Sequence, residues 1–353
     1  MIRVVSRHGD GLNQVTGGLR VLELDPVGAP IIVSPTFLYF FLRVRTNDRL
    51  LRYLYAATKS TRARLVLGTD AISQLTELKN LLPHVEVVAV MHGFYVPQPE
   101  NGRIREAWTE TKKSDVVLFS LGQHDLINYR RWGNIHSRII PVGGLNDSLY
   151  RELYGEASQQ RFDICVVEGS VDPNATKTFA KIRLANWMKI TEYVNQLAST
   201  KNLNVVIALS KSSKQDEVRQ WFISRFDREI TFVDSTEEFG TYRAIDASAI
   251  SIGEVSTSLI EGLGRGNKVV ALNFTNSELL DLPIHEINRM KNPTFSQFEM
   301  RYTELVEMNI DAYKQLTESS TNFVISYAPN RPTHVVLREF IESSIAESSS
   351  ERS

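Results

Sequence analysis

Three consecutive hydroxyl residues, Ser256, Thr257 and Ser258, stand between an apolar run at 249–252 and a second one at 259–263. The first run reads as the end of a buried strand and the second as a short helix stopped by Gly264 and Gly266. Residues 268–272 then begin another strand, so the stretch predicts the βαβ unit of a parallel sheet. Its chemistry lies at the turn. Backbone N–H groups at a helix N-terminus, with three hydroxyls beside them, form a place for phosphate oxygens that needs no metal. The same run also fits an ordinary serine-rich N-cap, which many α/β proteins carry.

A second turn of this kind is predicted at Gly169 and Ser170, directly after the apolar segment 162–167, because a Gly-Ser turn lets backbone amides approach an anion closely. Glu168 beside it reads either as an acid/base or nucleophilic carboxylate or as a turn-forming residue. Lys211, just after the run 204–209, either neutralises a diphosphate or stands in a solvated loop. His92 closes the strongest strand pattern of the first half, 85–91, and Gly93 follows it. With a pKa near neutrality, His92 could act as general base on a hydroxyl or donate to developing phosphate charge; a neutral histidine bonded to a backbone carbonyl is the competing reading. His8 and Asp10 sit in a glycine-containing loop after the strand at 2–5, as cleft residues or as turn formers.

A frame of alternating strands and helices must position these residues. Strands are expected at 2–5, 31–33, 64–67, 85–91, 115–120 and 137–144, with helices at 48–57, 71–82 and from 122 to about 132. In the helix at 71–82, Ile72, Leu75, Leu78 and Leu82 recur at three- and four-residue steps, and Pro83 ends it. The second half repeats the grammar with strands at 162–167, 204–209 and 230–233 and helices at 179–198 and 215–225. After 272 the pattern loosens: 286–301 reads as loop with a short helix, and 301–316 and 335–346 as helices. The expected domains are 1–150 and 162–330, joined by a polar linker at 151–161, with a C-terminal helix at 331–346 and a disordered tail at 347–353.

The run from Ser256 to Ser258, the helix carrying Glu261, the Gly264-Arg265-Gly266 turn and the strand at 269–272 together resemble the C-terminal half of the GT-B glycosyltransferases. The His92-Gly93 segment resembles its counterpart in several surface-polysaccharide and glycerophosphate transferases. That resemblance implies an α/β protein of two Rossmann-like domains facing a cleft, with the C-terminal helix crossing back to the first. It implies the donor phosphate at Ser256, Thr257 and Ser258, the ribose at Glu261, and Gly169 and Ser170 facing the donor phosphates. Glu254 and Glu261 only approximate the two-Glu pattern of some of these families, so Glu261 alone carries over. The implied reaction moves a sugar from a nucleotide-activated donor to a hydroxyl of a glycan or lipid-linked acceptor, which enters near His8, Asp10 and His92. Bacterial capsule or O-antigen synthesis is the implied setting. Three readings stay open beside it: a transferase using CMP-sialic acid or CMP-Kdo, a CDP-glycerol-type phosphotransferase, and a catalytically silent interaction subunit.

Composition bounds the rest. At 353 residues, with 42% hydrophobic and 23% charged, the chain has material for two globular cores. A formal net charge of -1 gives no overall case for a nucleic-acid partner. The single Cys165 excludes an internal disulfide and a cysteine-rich zinc site, which fits a cytoplasmic protein or one at the inner face of the membrane. The first residues enter a strand without signal-peptide features, and no apolar run reaches membrane-spanning length. No Asp-x-Asp pair, Gly-x-Ser-x-Gly elbow or Walker loop occurs. The resemblance implies a nucleotide-sugar as co-substrate, and without an Asp-x-Asp pair no metal and no further cofactor are expected.

Overall fold

The computed structural model describes residues 2–4, 22–24, 34–68, 72–91, 93, 115–131, 138–155, 159–169, 171–210, 215–234, 236–328 and 330–350. The first half runs β1 (Ile2–Val4), β2 (Leu22–Leu24), α1 (Pro35–Arg43), α2 (Arg49–Thr61), β3 (Leu65–Gly68), α3 (Ile72–Leu81), β4 (Glu86–Val90), β5 (Val117–Ser120), α4 (Gln123–Arg131), β6 (Arg138–Pro141) and α5 (Leu145–Tyr154). The second runs β7 (Phe162–Val167), α6 (Thr178–Lys201), β8 (Val205–Ala208), α7 (Gln215–Ile223), β9 (Thr231–Val233), α8 (Gly240–Asp246), β10 (Ser248–Gly253), α9 (Thr257–Gly264), β11 (Val269–Asn273), β12 (Arg289–Lys291), α10 (Phe295–Glu307) and α11 (Ile310–Val324). A last helix, α12, spans Thr333–Ser350. Among the described residues two compact units form: one takes those up to Leu149 and those from Ser326 onward, the other takes Tyr150–Ile325.

The first unit holds a parallel sheet in the order β2-β1-β3-β4-β5-β6. Every residue of β3 and β5 is buried, as is β4 after Glu86, which is why these strands read as continuous apolar runs rather than alternating ones. Leu75 and Leu78 of α3, with Leu82 beyond its end, are fully buried at the spacing of one helical face. α12 packs on this unit: Phe340 meets Phe119 of β5 edge-on at 5.3 Å, and the Thr333 hydroxyl donates to the Val142 carbonyl at 2.6 Å. The expected return of the C-terminal helix to the first domain is thus observed.

The second unit is a parallel sheet in the order β12-β11-β10-β7-β8-β9. Numbered from β7, that is the doubly wound order 3-2-1-4-5-6, whose direction of winding reverses between β7 and β10. These two strands pair over most of their length, with Ser251 opposite Cys165 and Gly253 opposite Val167. A Cβ on Gly253 would lie 2.8 Å from the Val167 carbonyl oxygen, so only glycine permits this approach. α6 covers one face with Trp187, Ile190, Val194 and Leu197, all fully buried, and Trp187 packs edge-on against Phe222 of α7 at 6.1 Å. Truncating a buried aromatic of this size costs about 3–5 kcal/mol.

Four boundaries differ from expectation. The linker placed at 151–161 begins inside α5, which buries Leu145, Leu149 and Tyr150 on one face and stops only at Gly155, a glycine at positive φ. The stretch 286–301 contains β12, which pairs with β11, and the start of α10, whose Thr294 and Gln297 form a capping box. Alternating charge in Arg289-Met290-Lys291 hid the strand, because an edge strand need not be apolar throughout. The helix expected at 301–316 is two helices, divided where Asn309 caps α11. α12 also continues to Ser350, past the expected end at 346, since nothing in Glu347-Ser348-Ser349-Ser350 breaks a helix.

Candidate functional site

In a doubly wound sheet, ligands bind beyond the carboxyl ends of the strands where the winding reverses. Here that place lies beyond β7 and β10, and the sequence there is Glu168-Gly169 on one strand and Glu254-Val255-Ser256 on the other. The two turns touch. A Cβ on Gly169 would come within 3.4 Å of the Val255 carbonyl oxygen and 3.0 Å of an Arg183 guanidinium nitrogen. Glycine at 169 therefore lets the chain pass between the neighbouring turn and a cation.

Arg183, on α6, fastens the pair. Its Nε donates to Glu254 Oε1 at 2.5 Å, and one Nη donates to the Gly169 carbonyl. Asn186, one turn further along α6, donates to Glu254 Oε2 at 2.9 Å and to the Leu272 carbonyl at 3.1 Å, while its own Oδ1 accepts from the Phe274 amide at 2.6 Å. A single helix thus holds the ends of β7, β10 and β11 at fixed separations. Glu254 is 1% exposed. Burial pushes its carboxyl above the usual range, with the Glu168 charge adding a smaller push, while Arg183 and the Asn186 amide pull it back.

Glu168 is 4% exposed, and both its oxygens are engaged. Oε1 accepts from the Val171 amide, and Oε2 accepts from the Ser210 amide at 2.8 Å at the end of β8. Of the two roles read from the sequence, this geometry carries the turn-forming one: a carboxylate closed in by two backbone donors is poorly placed to attack or take a proton. Among the described residues, the buried Ser210 hydroxyl oxygen beside it has no hydrogen-bond partner.

Ser256 takes the N-cap position of α9 in extended geometry, but its hydroxyl does not cap the helix. Ser256, Thr257 and Ser258 are all half-buried, so they are neither core residues nor fully solvated ones. Glu261, one turn into α9, is 3% exposed and accepts from the Tyr242 hydroxyl of α8 at 2.8 Å. In this structure its carboxylate serves the α8–α9 contact, which the sequence reading did not anticipate. Nearby, the Arg265 guanidinium lies over the rings of Tyr150 and Tyr242 at 5.3 and 4.9 Å and pairs with Asp246 at 2.9 Å. His92, Asp10, His8, Ser170 and Lys211 lie outside the described residues.

The structure therefore brings together Gly169, Glu168 and the Ser256–Ser258 turn, and adds Arg183, Asn186 and Glu254, which sequence reasoning missed as a group. Glu254 was visible only as part of an imperfect two-Glu pattern; Arg183 and Asn186 carried no local signal. A cavity of about 410 Å³ also opens in the second unit, lined by Tyr150, Tyr154, Arg161, Phe162 and Arg243 among others. It follows α8 from Val233, at the end of β9, to Ala247 before β10, with Phe162 at the start of β7 beside it, and none of the turn residues lines it. Topology and backbone donors favour the turns over this cavity. Among the described residues, no group of His, Cys, Asp or Glu is arranged to hold a metal ion, and no helix is long and apolar enough to cross a membrane.

No protein family and no curated protein matches this sequence. Solved structures do match its fold. The chain is similar to the S. aureus MnaA structure with UDP, with a TM-score of 0.58 and 13% identity over 98% of this chain and 95% of that one. It is similar to the UDP-GlcNAc 2-epimerase from Neisseria meningitidis bound to UDP-GlcNAc, with a TM-score of 0.55 and 11% identity over 98% of both chains. It is similar to the wall teichoic acid polymerase TagF, with a TM-score of 0.54 and 11% identity over 99% of this chain and 89% of that one. At such identities the likeness bears on architecture. The chain has the α/β GT-B fold of two Rossmann-like units that the resemblance implied.

Proposed function

We propose that this protein is a glycosyltransferase that moves a sugar from a nucleotide-activated donor to a hydroxyl of a glycan or lipid-linked acceptor. The observation that carries the donor half is the meeting of the Gly169 turn with the N-terminus of α9 at the point where the sheet reverses. Leaving-phosphate charge would be met by backbone N–H groups, the α9 dipole and the Ser256, Thr257 and Ser258 hydroxyls, without a metal. Solved neighbours of the same fold hold UDP or UDP-GlcNAc, which supports a nucleotide-sugar as ligand. Glu168, Arg183, Asn186 and Glu254 act as positioning residues that keep the turns in register. Gly169 and Ser170 approach the donor phosphates, and Lys211 adds positive charge after β8. Glu261 reaches a ribose only if the Tyr242 hydroxyl lets it go. The acceptor half rests on the resemblance: His92, with Asp10 as the alternative, takes the proton from the acceptor hydroxyl. The product would be a bacterial surface polysaccharide made at the inner face of the membrane.

A melting-temperature series with CMP, CDP, UDP, GDP and ADP, with and without EDTA, tests the donor site. A ligand at about a hundred times its Kd adds roughly 2.7 kcal/mol of stability. The reading expects one nucleotide to stabilise regardless of EDTA, and the Ser256→Ala, Ser258→Ala double variant to lose that shift. CMP alone would favour the acidic-sugar transferase, and CDP with CDP-glycerol turnover the phosphotransferase. Turnover of a labelled UDP-sugar to its epimer without acceptor would place the chain with the epimerases. No shift with any nucleotide would overturn the donor site and leave the silent interaction subunit.

A further inference from the structure

The hairpin α1–α2 in the first unit turns an apolar face outward. Its inner side is ordinary core: Phe37 is 6% exposed and packs on Phe41 at 5.9 Å and on Tyr53 of α2 at 5.3 Å. At 100° per residue, Pro35, Leu38, Tyr39 and Leu42 form one stripe on the other side. Leu38 and Tyr39 are each 51% exposed and Leu42 is 72% exposed, the highest exposure of any large hydrophobic among the described residues. Such a stripe in water is unfavourable unless something covers it.

Charge identifies the cover. Across 34–64 there are seven basic residues and one acidic residue, in a chain whose totals are 40 and 41. Arg43, Arg45 and Arg49 are exposed at the end of the stripe and in the turn after it. Arg43 donates to the Tyr39 hydroxyl and its guanidinium lies 5.3 Å from that ring's centre, at the border of the apolar stripe. The one acid, Asp48, is engaged by the Leu51 amide at 2.9 Å and the Gln74 amide group at 2.9 Å. An apolar stripe rimmed by arginines matches the boundary between acyl chains and anionic headgroups. A second copy of the chain fits poorly, since a two-fold contact through this face would set the same arginines against each other. Nine residues are too few to span a bilayer, so the helix would lie in its plane.

We infer that α1 docks this protein on an anionic lipid surface, burying Leu38, Tyr39 and Leu42 among the acyl chains while Arg43, Arg45 and Arg49 meet the headgroup phosphates. The inference deepens the lipid-linked acceptor half of the function above and rests on that half only for its purpose. Vesicle binding is read without donor or acceptor, so its failure and that of the transferase reading are separate results.

The experiment is co-sedimentation of the full chain with vesicles of phosphatidylcholine and phosphatidylglycerol in equal parts, against phosphatidylcholine alone, at low and high salt. Binding is expected to the mixed vesicles only and to weaken with salt. One basic residue near an anionic surface is worth about fivefold in affinity, so Arg45→Gln with Arg49→Gln should weaken binding roughly thirtyfold. Leu38→Ala with Leu42→Ala should also release the protein, while the melting temperature stays near that of wild type because both side chains are exposed. Wild-type protein left in the supernatant, or binding unchanged by either pair of substitutions, would overturn the inference. So would a concentration-dependent dimer abolished by Leu42→Glu, which would make the face a contact between copies.

Discussion

The two units build the same kind of parallel sheet, yet they secure the carboxyl ends of their strands differently. In the second, side chains of one long helix do it: Arg183 and Asn186 of α6 reach Glu254, Gly169 and Leu272. In the first, Asp125 accepts from the Leu121 and Gly122 amides at 3.1 and 3.2 Å, and the returning chain completes the job. The Ser326 amide donates to the Leu121 carbonyl at 2.8 Å, and Thr333 to that of Val142. The framework of the second is thus internal to the unit. The first is closed by a segment about two hundred positions away in sequence.

The largest test of this contrast is Arg183→Met. It leaves Glu254 buried without its cation, and breaking such a pair costs about 3–5 kcal/mol, to be read as a loss in the urea midpoint. A variant as stable as wild type would mean the α6 network does not secure the second unit.

Asp125 gives the next largest effect, and one that depends on pH. Burial lifts its carboxyl from 3.8 to about 7, although two backbone amides pull it down. Between those values the folded state holds a proton that the unfolded state has released, so stability falls as pH rises through the window. Asp125→Asn keeps an acceptor for the amides and removes that slope, a difference of up to about 4 kcal/mol between the ends of the window. Parallel denaturation curves for wild type and variant across the whole range would refute it.

Glu168→Gln is smaller. It sets an amide group against a backbone donor, costing roughly 1.5–3 kcal/mol, but a turn former should keep turnover within about tenfold once the protein is folded. A drop of several thousandfold in kcat would restore the catalytic role. Smallest is Thr333→Val, which removes one hydrogen bond and lowers the stability of the first unit by about 1 kcal/mol. A loss from the second unit instead would contradict the assignment of α12.

The strands were legible because they are buried on both faces: residues 87–90 and 164–167 are buried without exception and apolar almost throughout. The βαβ unit around Ser256 was legible because its strand, turn, helix and glycines lie within about two dozen consecutive residues. Arg183 and Asn186 were not, since their partners stand 71 and 68 positions away and nothing near them marks a site. The Tyr242 partner of Glu261 was not legible either, because a carboxylate one turn into a helix looks alike whether it faces a sugar or a tyrosine. The α1 stripe was not legible in the sequence, since only the packing of α2 shows which side of Phe37 is inside.

The closing of the first unit by residues from Ser326 onward bears on how the chain matures during synthesis. Domains generally fold as units, the N-terminal one first as the chain leaves the ribosome. Here that order is reversed. The second unit has all of Tyr150–Ile325 available while the C-terminal stretch is still being made, whereas the first must wait, Phe119 of β5 uncovered, until α12 emerges. A stop codon before Ser326 would leave the second unit its full span and deprive the first of its last helix, so chaperone dependence should concentrate in the half that is translated first.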